Sequence, residues 1–192
     1  MRRLLTPAAL LLCATACGRG SSGLSIPLPD FTMTSVAPKS QAPFGRRDLL
    51  GRVWIADFIY TRCSGPCPLL TQRLAALGKA LPPEIGLLSV SVDPDGDTPE
   101  RLRAYARDRG LDPRRWVFLR GSIQETYQLL YAGFRLPMST QPDAPPQARV
   151  THSTRFVLVD QKGAIRGYYE GLVDADADAL GRDARRLLEV GS

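Results

Sequence analysis

The sequence predicts an α/β domain with a mixed central sheet and helices packed on both of its faces. Three observations carry this reading. Short apolar, β-branched runs alternate with segments whose leucines recur at helical spacing. Prolines, glycines and capping residues fall at the joints between them. The last two strand runs are joined by a short Gly-containing turn, so parallel crossovers give way to an antiparallel hairpin. The chain has 192 residues, 44% of them hydrophobic and 23% charged. That is enough to bury a full core as one domain with a tail, and it excludes a disordered chain.

Each element has a local cause. Residues 26–34 (IPLPDFTMT) add a short strand or hairpin ahead of the domain. Residues 53–60 (VWIADFIY) are β-branched and aromatic, the composition of a buried strand. Residues 68–81 carry Leu70, Leu74, Leu77 and Leu81 on one helical face, and Pro82-Pro83 stops the helix. Residues 86–92 (GLLSVSV) form a second strand. The next helix runs to Arg109, with Asp97 or Thr98 as cap, Pro99 near its first turn and Gly110 closing it. Residues 116–119 make a third strand, and residues 122–132 a helix in which Ser122 and Glu125 have capping-box spacing. Residues 133–149 are a Pro-rich loop, long for a compact domain and so a candidate functional segment. Residues 153–160 and 164–170 pair as a hairpin through Gln161-Lys162-Gly163. Residues 174–190 close the domain as a helix with Leu180, Leu187 and Leu188 on one face. The order β-α-β-α-β-α-β-β-α is similar to a thioredoxin-like fold with an N-terminal extension and a loop insertion before the last hairpin.

The N-terminus reads as a targeting segment. Arg2 and Arg3 precede an apolar run, residues 4–16, that is far shorter than the ~20 residues needed to span a bilayer. Ala14-Thr15-Ala16-Cys17-Gly18 resembles a bacterial lipoprotein box. On this reading residues 1–16 are a signal peptide, Cys17 is lipidated, and residues 17–25 tether a domain spanning 26–192. The domain then works in the bacterial cell envelope, on the periplasmic side, lipid-anchored to the membrane, where disulfides persist. The alternative is a plain secretory signal cut near Ala16. Net charge is +6 with acids and bases interspersed, and no basic block is interleaved with aromatics, which argues against nucleic acid.

Export leaves few sulfurs. Cys13 departs with the signal, so Cys63 and Cys67 remain, in a chain with one histidine, His152. One close pair is too little for a disulfide scaffold and points to chemistry. The pair sits where the first long strand ends and a helix begins, and residues four apart converge on one helical turn. Unpaired N–H groups at a helix start favour thiolate over thiol. Gly65 allows an unusual backbone angle between the cysteines, and Pro66 stiffens the turn. Two thiolates and one imidazole make a donor set for a soft ion such as Cu(I). The same thiols can instead cycle between dithiol and disulfide. In a thioredoxin-like fold the strand after His152 begins beside the first helix, which brings the imidazole toward the sulfurs.

Three segments carry a family resemblance. Residues 58–68 (FIYTRCSGPCP), residues 91–100 (SVDPDGDTPE), and Thr151-His152-Ser153 followed by residues 157–160 (VLVD) and 163–166 (GAIR) resemble the three signatures of the Sco/SenC copper-chaperone family, in the right order. The spacer Ser64-Gly65-Pro66 departs from the more usual proline-first form, and the anchor is a lipid in place of a helix. The resemblance implies copper held by Cys63, Cys67 and His152. It also implies delivery to, or maturation of, the binuclear copper site of cytochrome c oxidase. The implied partners are the copper subunit of that oxidase, other periplasmic copper chaperones and thioredoxin-like reductants. This is binding and transfer, not turnover.

Alternatives remain at several positions. The pair can serve as a thiol–disulfide reductase that keeps a partner's copper-ligand cysteines reduced. A peroxidase rests only on the thiols and residues 28–34 (LPDFTMT). Asp93 either tunes the site or meets a partner, or belongs to a turn and cap cluster with Asp95 and Asp97. Met138 is a transient soft donor or a gap-filler. Asp174, Asp176 and Asp178, alternating at a helix start, fit complementing the helix dipole better than binding a hard cation.

Overall fold

The computed structural model describes residues 23–190. The leader, Cys17 and most of the tether lie outside the described residues. The main sheet has eight strands in the order β1-β10-β9-β4-β5-β6-β2-β3. In chain order these are β1 (Ile26–Pro27), β2 (Thr32–Val36), β3 (Gln41–Gly45), β4 (Trp54–Ile59), β5 (Gly86–Ser91), β6 (Trp116–Arg120), β9 (Arg155–Val159) and β10 (Ala164–Glu170). A separate two-stranded ribbon pairs β7 (Met138–Thr140) with β8 (Val150–His152). The helices are the single turn α1 (Arg46–Leu49), then α2 (Cys67–Ala80), α3 (Pro99–Asp108), α4 (Ile123–Gln128) and α5 (Asp174–Val190). Among the described residues no helix is long and apolar enough to cross a membrane.

All six residues of β4 are buried, as its apolar run predicts, and the burial includes the one charged residue in it, Asp57. It runs parallel to β5, β5 runs parallel to β6, and β9 flanks β4 antiparallel. The α2 and α3 crossovers therefore bring the loops after β4 and β5 out at one sheet edge. Thr98 caps α3 by accepting from the Arg101 N–H, and the predicted Ser122–Glu125 capping box is present in α4.

Three expectations change. The N-terminal extension is a β2–β3 hairpin joined to β6, whose second arm, with Pro43 on the sheet edge, shows no alternation in the sequence. The helix expected over 122–132 is α-helical only to Gln128. Residues Leu129–Gly133 form a π turn that ends with the Phe134 N–H on the Leu129 carbonyl and sets Phe134 edge-on to Phe58, 5.1 Å away. The segment 133–149 is not all loop: β7 and a 3-10 turn (Pro146–Ala148) lie in it.

Candidate metal centre

Cys67 is the first residue of α2, fully buried, and Cys63 lies in the turn between β4 and α2 at 9% exposure. Both are free thiols. The Cys63 amide closes a turn onto the Tyr60 carbonyl at 3.2 Å. Gly65 does not adopt a positive φ, contrary to expectation. Its N–H is among the groups that favour the Cys63 thiolate, and a Cβ there would make only an ordinary contact with that sulfur, at 3.7 Å.

The ribbon delivers the imidazole. His152 ends β8 opposite Met138, and its Nε2 lies 3.3 Å from Cys67 Sγ. Its Nδ1 is 2.8 Å from the Ser153 carbonyl, which can only accept. Nδ1 therefore carries the hydrogen, and the Nε2 lone pair faces the sulfur. Burial holds the imidazole pKa below its ordinary value, so the ring is neutral at pH 7 and ready to donate that lone pair. Tyr60 packs edge-on to the imidazole at 5.9 Å, and its hydroxyl donates to the Gln147 carbonyl at 2.6 Å, tying the ribbon loop to the end of β4.

The two thiols are pushed apart. Burial opposes ionisation of Cys63. The Cys67 thiol and the N–H groups of Cys67 and Gly65 outweigh it, and the pKa is lowered. Cys67 is raised, by burial first and then by the Cys63 sulfur, with the buried Asp57 adding a smaller push. The one Cys67 hydrogen thus has two acceptors, the Cys63 sulfur and His152 Nε2. Among the described residues no three His, Cys, Asp or Glu side chains are already gathered as a metal-holding group. The described arrangement is two adjoining pairs, Cys63–Cys67 and Cys67–His152.

Asp57 was not singled out by its sequence position. It lies on β4 with no exposed surface to speak of, accepts from Ser89 at 2.5 Å, and has no partner for its second oxygen among the described residues. Burial pushes its pKa up to about 7 against the Ser89 bond. Asp93 is buried and pairs with Arg62 at 2.6 Å, so it reaches the cysteine turn through the residue before Cys63. Asp97 does not cap α3; both of its oxygens point back toward β4 and β5. A cleft of about 470 Å³ opens beside His152, lined by Met138, Arg135 and Arg155 among others. Asp174 pairs with Arg73, and Asp176 accepts the Glu170 N–H at the start of α5.

The family model for SCO1/SenC matches residues 29–189. The chain belongs to the SCO1/SenC family. A SCO1/SenC lipoprotein from Bacillus anthracis is 32% identical, with 85% of this chain and 95% of that one aligned and a TM-score of 0.74. BsSco, described as a Sco-family cytochrome c oxidase assembly protein with a disulfide switch, is 27% identical over 87% of this chain and 96% of its own, with a TM-score of 0.72. Bradyrhizobium japonicum ScoI, solved with copper bound, is 20% identical over 84% and 99% of the two chains, with a TM-score of 0.69. At that identity the likeness is one of fold. These SCO1/SenC neighbours share the thioredoxin-like fold, with its mixed sheet flanked by helices.

Proposed function

We propose that this protein is a copper metallochaperone that carries the ion between Cys63, Cys67 and His152. It delivers copper to, or matures, the binuclear copper site of cytochrome c oxidase. The observation that carries the reading is the tautomer-fixed Nε2 lone pair of His152, 3.3 Å from the Cys67 sulfur. The donor set supports copper: two thiolates suit Cu(I), and an imidazole adds the harder donor that Cu(II) requires. Cys67 gives up its hydrogen on binding, and Cys63 turns its sulfur toward the same point. Few protein ligands at a sheet edge leave room for a partner's thiols to take the ion stepwise. The leader supports export to the periplasmic side of the envelope, with Cys17 as the lipid anchor.

The test is titration of the reduced protein with Cu(I) and Cu(II), following stoichiometry and thiolate-to-Cu(II) charge transfer. One tight equivalent is expected, with His152→Ala weakening Cu(II) far more than Cu(I). Equal losses for both ions count against the imidazole as third donor.

A second reading is supported by the opposed thiol shifts. A Cys63 thiolate attacks a partner disulfide and forms a mixed disulfide, then Cys67 displaces the partner dithiol as Cys63–Cys67 closes. Electrons pass to the partner, and a thioredoxin-like reductant restores the pair. Here His152 is dispensable, so full rescue of oxidase assembly in cells by His152→Ala favours this reading.

A further inference from the structure

We propose that Asp97 is the positioning residue of the cysteine turn: its buried carboxylate fixes Thr61 and, through it, the Cys63 sulfur. The proposal rests on the reading of Cys63 as donor or nucleophile and applies to both forms of it.

The ladder of β4 stops at Ile59, and α2 starts at Cys67. Between them the Thr61 N–H has no carbonyl partner among the described residues. It donates to Asp97 Oδ1 at 3.0 Å, and the Thr61 hydroxyl donates to the same oxygen at 2.6 Å. The other oxygen, Oδ2, accepts from Ser91 at 2.6 Å. The carboxylate is fully buried, and burial raises its pKa. No guanidinium bonds its oxygens among the described residues. Burying a carboxylate without an ion pair is unfavourable unless its acceptors are used. Here three donors use them, and two of these belong to the residue two positions before Cys63.

The carboxylate is itself held. The Asp97 N–H donates to the Asp93 carbonyl at 2.8 Å. Arg120 spans the Asp97 and Pro94 carbonyls at 3.1 and 3.0 Å, and Arg101 donates to the Gly96 carbonyl at 2.8 Å. Asp93 adds a parallel tie to Arg62. Helix capping does not account for Asp97, since Thr98 performs it. The clamp acts on one sulfur only. Cys63 lies in the turn itself, its N–H on the Tyr60 carbonyl, whereas Cys67 is the first residue of α2 and is placed by the helix.

The test is site-resolved alkylation of the reduced full chain with iodoacetamide at pH 7, read by mass spectrometry. It needs no metal, so it stands or falls separately from the copper titrations. Asp97→Ala is expected to lower the Cys63-to-Cys67 rate ratio about tenfold, the scale of losing the two Thr61 hydrogen bonds that seat the turn. Asp97→Asn is expected to stay within about twofold of wild type, because its amide oxygen still accepts both Thr61 donors and its NH2 can donate to Ser91. A folded Asp97→Ala protein with the wild-type ratio overturns the proposal, and so does an Asn variant as impaired as Ala. Where Asp97→Ala does not fold, Thr61→Val decides: it removes the hydroxyl bond alone and is expected to lower the ratio about threefold, and an unchanged ratio overturns the proposal.

Discussion

A single buried carboxyl sets a pH dependence for the whole domain. Unfolded, Asp57 ionises near the ordinary 3.8; folded, it ionises only near 7. Between those values the folded chain holds a proton that the unfolded chain has released, so this group's contribution to stability falls as pH rises, then levels above about 7. Asp57→Asn keeps the acceptor for Ser89 and cannot ionise. Denaturant unfolding should show it unchanged from wild type near pH 3.5 and more stable at pH 8, by on the order of 4 kcal/mol. A parallel pH profile for the two proteins would remove the charge argument. At this scale Cys63, Cys67 and His152 stand out in the sequence by residue type and rarity, and the fold sets His152 against Cys67. The buried settings of Asp57 and Asp97 do not stand out. Asp57 sits in an apolar run that reads as plain strand. Asp97 is one of three alternating aspartates before a helix, and only the register that sets Ile59 beside Ser91 turns it toward Thr61.

At the scale of elements, the β7–β8 ribbon is the piece that the sequence hides and the site needs. Three-residue strands with Pro137 before them and Pro142, Pro145 and Pro146 between them carry no period-2 signal, so the segment reads as loop. Its ladder becomes visible only through the pairing of Met138 with His152. β4, α2, β5 and α3 are read within a residue or two, because their leucines, caps and prolines agree with the final packing. The ribbon loop is tied to β4 by the Tyr60 hydroxyl on the Gln147 carbonyl. Tyr60→Phe removes that bond and leaves an exposed carbonyl that water can satisfy. The expected loss in global stability is only about 1 kcal/mol. Amide exchange over residues 146–152 should quicken well beyond that, and exchange confined to its wild-type rate there would show that other contacts seat the ribbon.

For the whole molecule, the π turn after α4 links the far side of the core to the site. It seats Phe134 against Phe58, in the strand that leads to Cys63, and offers the Phe134 carbonyl to the Tyr168 hydroxyl at 3.0 Å. Phe134→Ala should destabilise the domain by about 3–5 kcal/mol, measured by chemical denaturation. A cost below about 1 kcal/mol would mean that the cavity collapses. The sulfurs and the imidazole differ in their footing. Cys63 and Cys67 follow the central, wholly buried strand of an eight-stranded sheet, while His152 rides on a ribbon that shares no ladder with that sheet. For the proposed centre, a movement of the ribbon would carry the imidazole away while leaving the two sulfurs side by side on the β4–α2 turn, so the coordination number could change from three to two without any change in the main sheet.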